Sequence, residues 1–393
     1  MNPPAAFIPS VASSALPDVI CLSHLRWNFV YQRPQHLMTR CAAERRVFFV
    51  EEPEYAPGVR PHLRIERSGR VTVATPQCAT GTTPREALII QRELLNQLMA
   101  RESINRYVLW YYTPMALAFT DHLSPVSIVY DCMDELSAFK GASPALKQYD
   151  VELVRRATLV LTGGHSLYEA RRHTHQNIHP FPSSVDVAHF SAARQPQADP
   201  DDQASIPHPR LGFFGVIDER MDLALLEGLA DARPDWHWVL LGPVVKIDAD
   251  ALPVRPNLHY LGSKAYRELP AYIAGWDVAL MPFAKNEATR FISPTKTPEY
   301  LAAGKPVVST SVRDVVRPYG QAGLVHIADD VRAFVQACEA AMADDHVDRN
   351  RRADVFLRQT SWDGTWRQIR TLLDHSVVTN HPVSTLAAGE AAV

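Results

Sequence analysis

Lys296 and Glu299 stand three residues apart in FISPTKTPEYLAAGKPVVST, residues 291–310. On a helix that spacing puts an ammonium and a carboxylate on one face. Ser293-Pro294 and Thr297-Pro298 each fit an N-cap followed by proline at the first helical position, and Pro298 biases the first turn toward a loop or a 3₁₀ piece. Backbone N–H groups and the positive end of the helix dipole then gather around Thr295 and Lys296, which makes a seat for an anion such as a phosphate. Glu299 can accept two hydroxyls at once, as a ribose would present them. An acidic first turn is also ordinary capping, so local chemistry alone leaves both readings open.

A second acidic group lies in VYDCMDELSAF, residues 129–139, where Asp131, Asp134 and Glu135 sit at the end of an apolar run. Carboxylates beside a core are costly unless they are paired or face a wet cleft. The stretch SHLRWNFVYQRPQHLM, residues 23–38, places His24, Arg26, Trp27 and Asn28 in a loop, with Arg33-Pro34 opening a helix. Gly215 and Arg220 occur in GFFGVIDERMD, Lys264 in LGSKAYRELP, and Gly163, Gly164, His165 and Ser166 in LTGGHSLYEARR. Each has a plain alternative: Trp27 as core, Arg220 as a solvated cation, Asp134 as a cap or ion-pair member, Ser166 as an N-cap.

The elements that must position these groups follow from the hydrophobic pattern. Apolar runs such as DVICLSH, RVFFVEE, YVLWYYT, SIVYDC and ATLVLTG alternate with segments of helical period. Strands that are apolar throughout and separated by helices predict parallel sheets covered on both faces, an α/β doubly wound fold. At 393 residues the chain is too long for one core. The Pro-, Asp- and Gln-rich stretch 191–209 reads as a linker. The expected organisation is a first Rossmann-like domain over 17–190, the linker, a second Rossmann-like domain over 210–357, and a helix over 358–377 returning to the first domain. Residues 1–16 and 378–393 are expected to be disordered. Ligands are expected in the cleft where the strand ends face each other.

Composition narrows the function. A net charge of −3, with 21% charged and 46% hydrophobic residues, gives no basis for nucleic-acid binding. Five singly placed cysteines in mostly apolar runs read as buried free thiols of a reducing cytoplasm. No signal peptide or spanning helix is indicated, so a cytoplasmic location is expected, compatible with peripheral contact at the inner face of the membrane. His173, His175 and His179 lack accompanying cysteines or carboxylates, and no metal site is expected. No GxGxxG, GxxxxGK[ST] or GxSxG stands in the required context, which disfavours a nicotinamide dehydrogenase, a P-loop enzyme and a serine hydrolase.

The order Lys296, Glu299, Ala302, Gly304, Pro306, Val307, Val308 resembles the donor-binding signature of GT-B glycosyltransferases, in the large group that includes bacterial polysaccharide enzymes. The resemblance covers most of residues 18–375, and the run W-N-x-x-x-Q-R-P-Q-H resembles a teichuronic-acid-type subgroup. It implies two domains across a cleft, the second holding a UDP- or GDP-sugar or similar donor and the first a saccharide or lipid-linked acceptor, without cofactor or metal. By the same resemblance Glu299 holds the ribose and Lys296 and Thr295 the diphosphate side. Gly215 is the close-approach glycine, Arg220 the basic partner, and Lys264 lies near the base. Asp134 matches the general base of an inverting xanthan-type glucuronosyltransferase, with Asp131 as the alternate. His24, Arg26, Trp27, Arg33 and His165 fall on the acceptor side. One departure is Phe291, where many retaining members carry a glutamate that touches the donor sugar. Two other readings share the architecture: a nucleotide-sugar epimerase and a non-catalytic nucleotide-sugar-binding subunit.

Overall fold

The computed structural model describes residues 16–379, so all but Leu16, Val378 and Thr379 of the ends expected to be disordered lie outside the described residues. Thr379 closes a helix, Trp362–Thr379, so order runs two residues past the expected end.

The first sheet is built from β1 (Asp18–Leu22), β2 (Val47–Val50), β3 (Glu54–Ala56), β4 (His62–Ser68), β5 (Val71–Ala79), β6 (Tyr107–Tyr111), β7 (Ser127–Cys132), β8 (Leu159–Thr162) and β9 (Ile178–Pro180). Its order is β3-β5-β2-β1-β6-β7-β8-β9, parallel along this path, with β4 antiparallel on β5. The chain works outward from β1 to one side and then restarts at β6 on the other. The β1/β6 boundary is therefore the switch point where strand ends open a crevice.

The second sheet contains β10 (Arg210–Phe214), β11 (His237–Leu241), β12 (Leu258–Tyr260), β13 (Val278–Met281), β14 (Val307–Ser309) and β15 (His326–Ile327). Its order, β12-β11-β10-β13-β14-β15, is all parallel and reverses between β10 and β13. The central strands are buried along their length because helices cover both faces. This is the α/β arrangement of two Rossmann-like domains expected from the alternating pattern, and the GT-B fold that the resemblance implies.

One part of the chain carries more structure than the sequence reading gave it. Residues 191–209 do not form a free linker: Ala192–Arg194 and Asp201–Ala204 are short helical turns packed on the second domain. The Gln203 amide is fully buried, donates to Tyr272 O and accepts from Trp276 Nε1 at 2.9 Å, which compensates for the scarcity of apolar side chains. The C-terminal segment is broken into His346–Leu357 and Trp362–Thr379. The second of these returns to the first domain, where Trp362, Trp366, Ile369 and Leu373 join the cluster of Val19, Leu37 and Val129. The five cysteines are buried and free. Among the described residues no helix is long and apolar enough to cross a membrane.

Candidate active site

Both glycines after the first two strands of the second sheet are required by geometry. Gly215 has φ +143°, and a Cβ there would lie 2.9 Å from Lys296 Cε. Gly242, after β11, has φ +141°, and a Cβ there would lie 1.8 Å from Gly215 O. Only residues without a side chain let these two turns close on each other and on the Lys296 stem. Gly242 was not identified from sequence, although the strand-then-glycine pattern repeats at both sites.

The helix Lys296–Ala302 is seated against this turn. Its N-cap is Thr295, so neither Ser-Pro nor Thr-Pro step caps it as expected. Pro298 falls at the third helical position, whose N–H would have no intrahelical partner in any case. The Tyr300 hydroxyl accepts from Phe214 N at 3.0 Å and ties the helix to the end of β10. At the far end, Arg194 Nε donates to Ala302 O at 2.7 Å.

Lys296 and Glu299 therefore face the same cavity, of about 520 Å³, between the domains. Its walls include Phe214, Gly215, Gly242 and Tyr266 from the second domain and Trp27 to Tyr31 from the first. Lys296 Nζ donates to Thr295 Oγ1 at 3.0 Å and lies 5.1 Å from the centre of the Phe214 ring. Glu299 is 5% exposed, and its Oε2 has no hydrogen-bond partner. Burial raises the Glu299 pKa against the pull of Lys296, and lowers that of Lys296 against the pull of Glu299. A buried carboxylate with an orphan oxygen at a cavity wall is a group arranged for a hydrogen-bond donor it has yet to meet. Tyr266, unremarked in the sequence, also has a buried hydroxyl without a partner. Its ring stacks on His189 at 4.2 Å and lies 4.7 Å from Tyr31, closing the cavity with rings from both domains.

Asp134 stands after β7, half-buried. Among the described residues its carboxylate has no hydrogen-bond or ion-pair partner. Burial raises its pKa, while Arg220, Arg33 and Lys246 pull it down. Arg220 and Lys246 belong to the second domain, so the acid faces across the cleft. Lys246 was missed because it sits in an irregular loop without a motif.

Other candidates are assigned differently by the fold. Asp131 is 0% exposed and pairs with Arg33, whose Nε donates to both carboxylate oxygens at 3.0 Å and whose Nη1 donates to Phe181 O at 2.7 Å. This pair buttresses the sheet, and neither member has surface to offer an acceptor. Replacing Asp131 with Ala should cost about 3–5 kcal/mol in a denaturation experiment, because Arg33 would be left buried and unpaired. Arg26 is held by Glu51 and by the carbonyls of Glu52 and Pro53. Trp27 packs edge-on to Phe49 in the core, with its ring 5.0 Å away. Lys264 lines the cavity but gives its ammonium to Asp202 at 2.5 Å. Arg220 forms a bidentate pair with the buried Asp218, which aims its guanidinium.

Two acceptor-side candidates remain near the interdomain face. His24 is half-buried, and burial together with Lys246 pushes its pKa down to about 4, so it is neutral. His165 is exposed at the start of the helix His165–Arg171. The next N–H in that turn, Ser166 N, donates to Asp314 Oδ1 of the second domain at 2.9 Å. A side chain at Gly164 would collide with the same carboxylate, at 2.2 Å. The turn that follows the glycine pair thus receives a carboxylate from the facing domain. Phe291, in place of the glutamate, packs against apolar residues of the first domain.

Comparison with known proteins agrees with this geometry. Residues 208–344 match the family described as Glycosyl transferases group 1. TuaH of Bacillus subtilis (strain 168), named as a teichuronic acid biosynthesis glycosyltransferase, is 27% identical over 302 residues, covering 70% of this chain and 74% of TuaH. Among solved structures, a sucrose-phosphate synthase from Thermosynechococcus elongatus superposes with TM-score 0.68 at 12% identity, covering 93% of this chain and all of that one (100%). A trehalose-6-phosphate structure from E. coli bound with UDP-2-fluoro glucose gives TM-score 0.67 at 12% identity, covering 92% and 99%. These last two likenesses establish a shared fold.

Proposed function

We propose that this GT-B glycosyltransferase, whose residues 208–344 form a glycosyl transferases group 1 domain, moves a sugar from a nucleotide-diphosphate donor to a hydroxyl of a saccharide or lipid-linked acceptor in bacterial surface-polysaccharide synthesis. The observation that carries the reading is the buried, half-unsatisfied Glu299 beside Lys296 at the cavity between the domains. A ribose would supply the donors Glu299 lacks, and a diphosphate would supply the anion that Lys296 faces, with the Arg220 charge close enough to act on the same seat. The name of TuaH points to an acidic cell-surface polymer as the setting, and the acceptor class is inferred from that setting.

In this reading Asp134 takes the proton of the acceptor hydroxyl. The acceptor oxygen forms a bond to the anomeric carbon as the bond from that carbon to the diphosphate oxygen breaks. The nucleoside diphosphate leaves with the electron pair, and its added charge is met by Lys296 and Arg220. A base on the acceptor side and an aromatic at position 291 favour a single displacement, which inverts the anomeric centre.

The test is transfer from a panel of UDP- and GDP-sugars to saccharide and lipid-linked acceptors, with and without EDTA, followed by NMR of the product anomer. Transfer that survives EDTA and inverts the donor configuration is the expected result. Binding of nucleotide sugar without transfer to any acceptor would overturn it in favour of a binding subunit. A changed sugar in donor-only incubations would point to an epimerase.

A further inference from the structure

The loop that carries Asp134 does not end its contacts within its own domain. Five residues on, the Phe139 ring lies within cation–π reach of two cations of the second domain, with Arg220 Cζ 5.7 Å and Lys246 Nζ 4.9 Å from its centre. The next residue, Lys140, donates its backbone N–H to Glu219 Oε1 at 3.3 Å. Lys246 makes its contact from a left-handed backbone, φ +61°, which a residue with a side chain holds at a cost. Between Asp134 and Phe139 the chain is stiffened by a 3₁₀ turn, Leu136–Ala138, and by Glu135, which pairs with Arg171 at 2.7 Å.

We propose that Phe139 is a positioning residue: held by Arg220 and Lys246, it docks the loop bearing Asp134 onto the donor domain, so that base and donor seat are assembled together. Cations over an aromatic face attract it more strongly as water is excluded, so the contact is selective for a closed cleft. Both cations also draw down the pKa of Asp134, and the same docking that places the base favours its ionised form. This inference rests on Asp134 acting as the base.

Hydrogen exchange of residues 133–142 in the full chain without ligand tests the docking independently of turnover. Phe139→Ala and Lys246→Met should each speed exchange there by about tenfold, while Phe139→Trp and Lys246→Arg, which keep a ring and a cation, should stay near wild type. Unchanged exchange in the first two variants overturns the proposal, as does an equal rise in all four. In the transfer assay, Phe139→Ala should lower kcat by about tenfold with the donor KM unchanged, and Phe139→Trp should restore it. A raised donor KM with normal kcat would instead make Phe139 a donor contact and overturn the assignment. If Asp134→Asn retained full turnover, the base reading would fall while the exchange result still reported the docking.

Discussion

Asp134→Asn should bind nucleotide sugar as the wild type does and lose transfer by about 10²–10⁴-fold, the usual contribution of a positioned general base. The substitution keeps the shape and removes the proton acceptor. The carboxylate is free among the described residues and faces cations of the other domain, so the amide breaks no ion pair. The acid limb of kcat/KM gives a second readout. Burial raises the Asp134 pKa against Arg220 and Arg33, so the base is ionised well above its folded pKa and protonated below it. Activity should therefore fall as pH drops through a value raised from that of a free aspartate, and this limb should vanish in Asp134→Asn. Unchanged turnover in the variant would remove Asp134 from the mechanism.

Glu299→Gln should weaken nucleotide binding and stabilise the free protein at the same time. Two hydrogen bonds to a charged acceptor are each worth about 1.5–3 kcal/mol, so losing the charge should cost about 10- to 100-fold in affinity for the preferred nucleoside diphosphate. In the free protein the carboxylate is buried with one oxygen unpaired, and its pKa is raised. A carboxyl with a raised folded pKa favours folding only while protonated, and that contribution is lost as pH rises through the folded value. Above that value the charged group therefore opposes folding, and a neutral amide should raise Tm there. Lys296→Ala should also weaken binding but without the gain, because it leaves Glu299 without the cation beside it. Wild-type affinity in both variants, measured by calorimetry across the common nucleoside diphosphates, would refute the donor seat. A fall in both affinity and Tm for Glu299→Gln would show that the carboxylate supports the fold instead.

The contrast between these two residues and Asp131 shows which relations can be read along the chain. Lys296 and Glu299 were legible because their relation is local: a three-residue spacing on one short helix fixes their common face, whatever surrounds it. Gly215 was legible for a similar reason, as the turn directly after a strand. Asp131 and Asp134 look alike in sequence, three residues apart at the end of one strand. Their fates differ because Arg33, 98 residues earlier, reaches the first and not the second. The ion pairs of Arg26 and Lys264 were out of reach in the same way, since Glu51 and Asp202, which hold them, come from other elements. Lys246, Phe139 and Tyr266 carried no motif, and their importance exists only in what they face.

By itself the sequence determined what depends on short range: an alternation of buried strands and helices that requires two parallel sheets, a glycine turn directly after the first strand of the second domain, and a helix presenting one ammonium and one carboxylate together. The tertiary structure decided which charges are spent and which are left over. A side chain's partner is set by elements far away in the chain, and a charge meets its function only where folding has left it buried, unpaired and facing the cleft. Folding leaves the half-buried Asp134 and the buried Glu299 in that position and spends Asp131, Arg26 and Lys264 on partners.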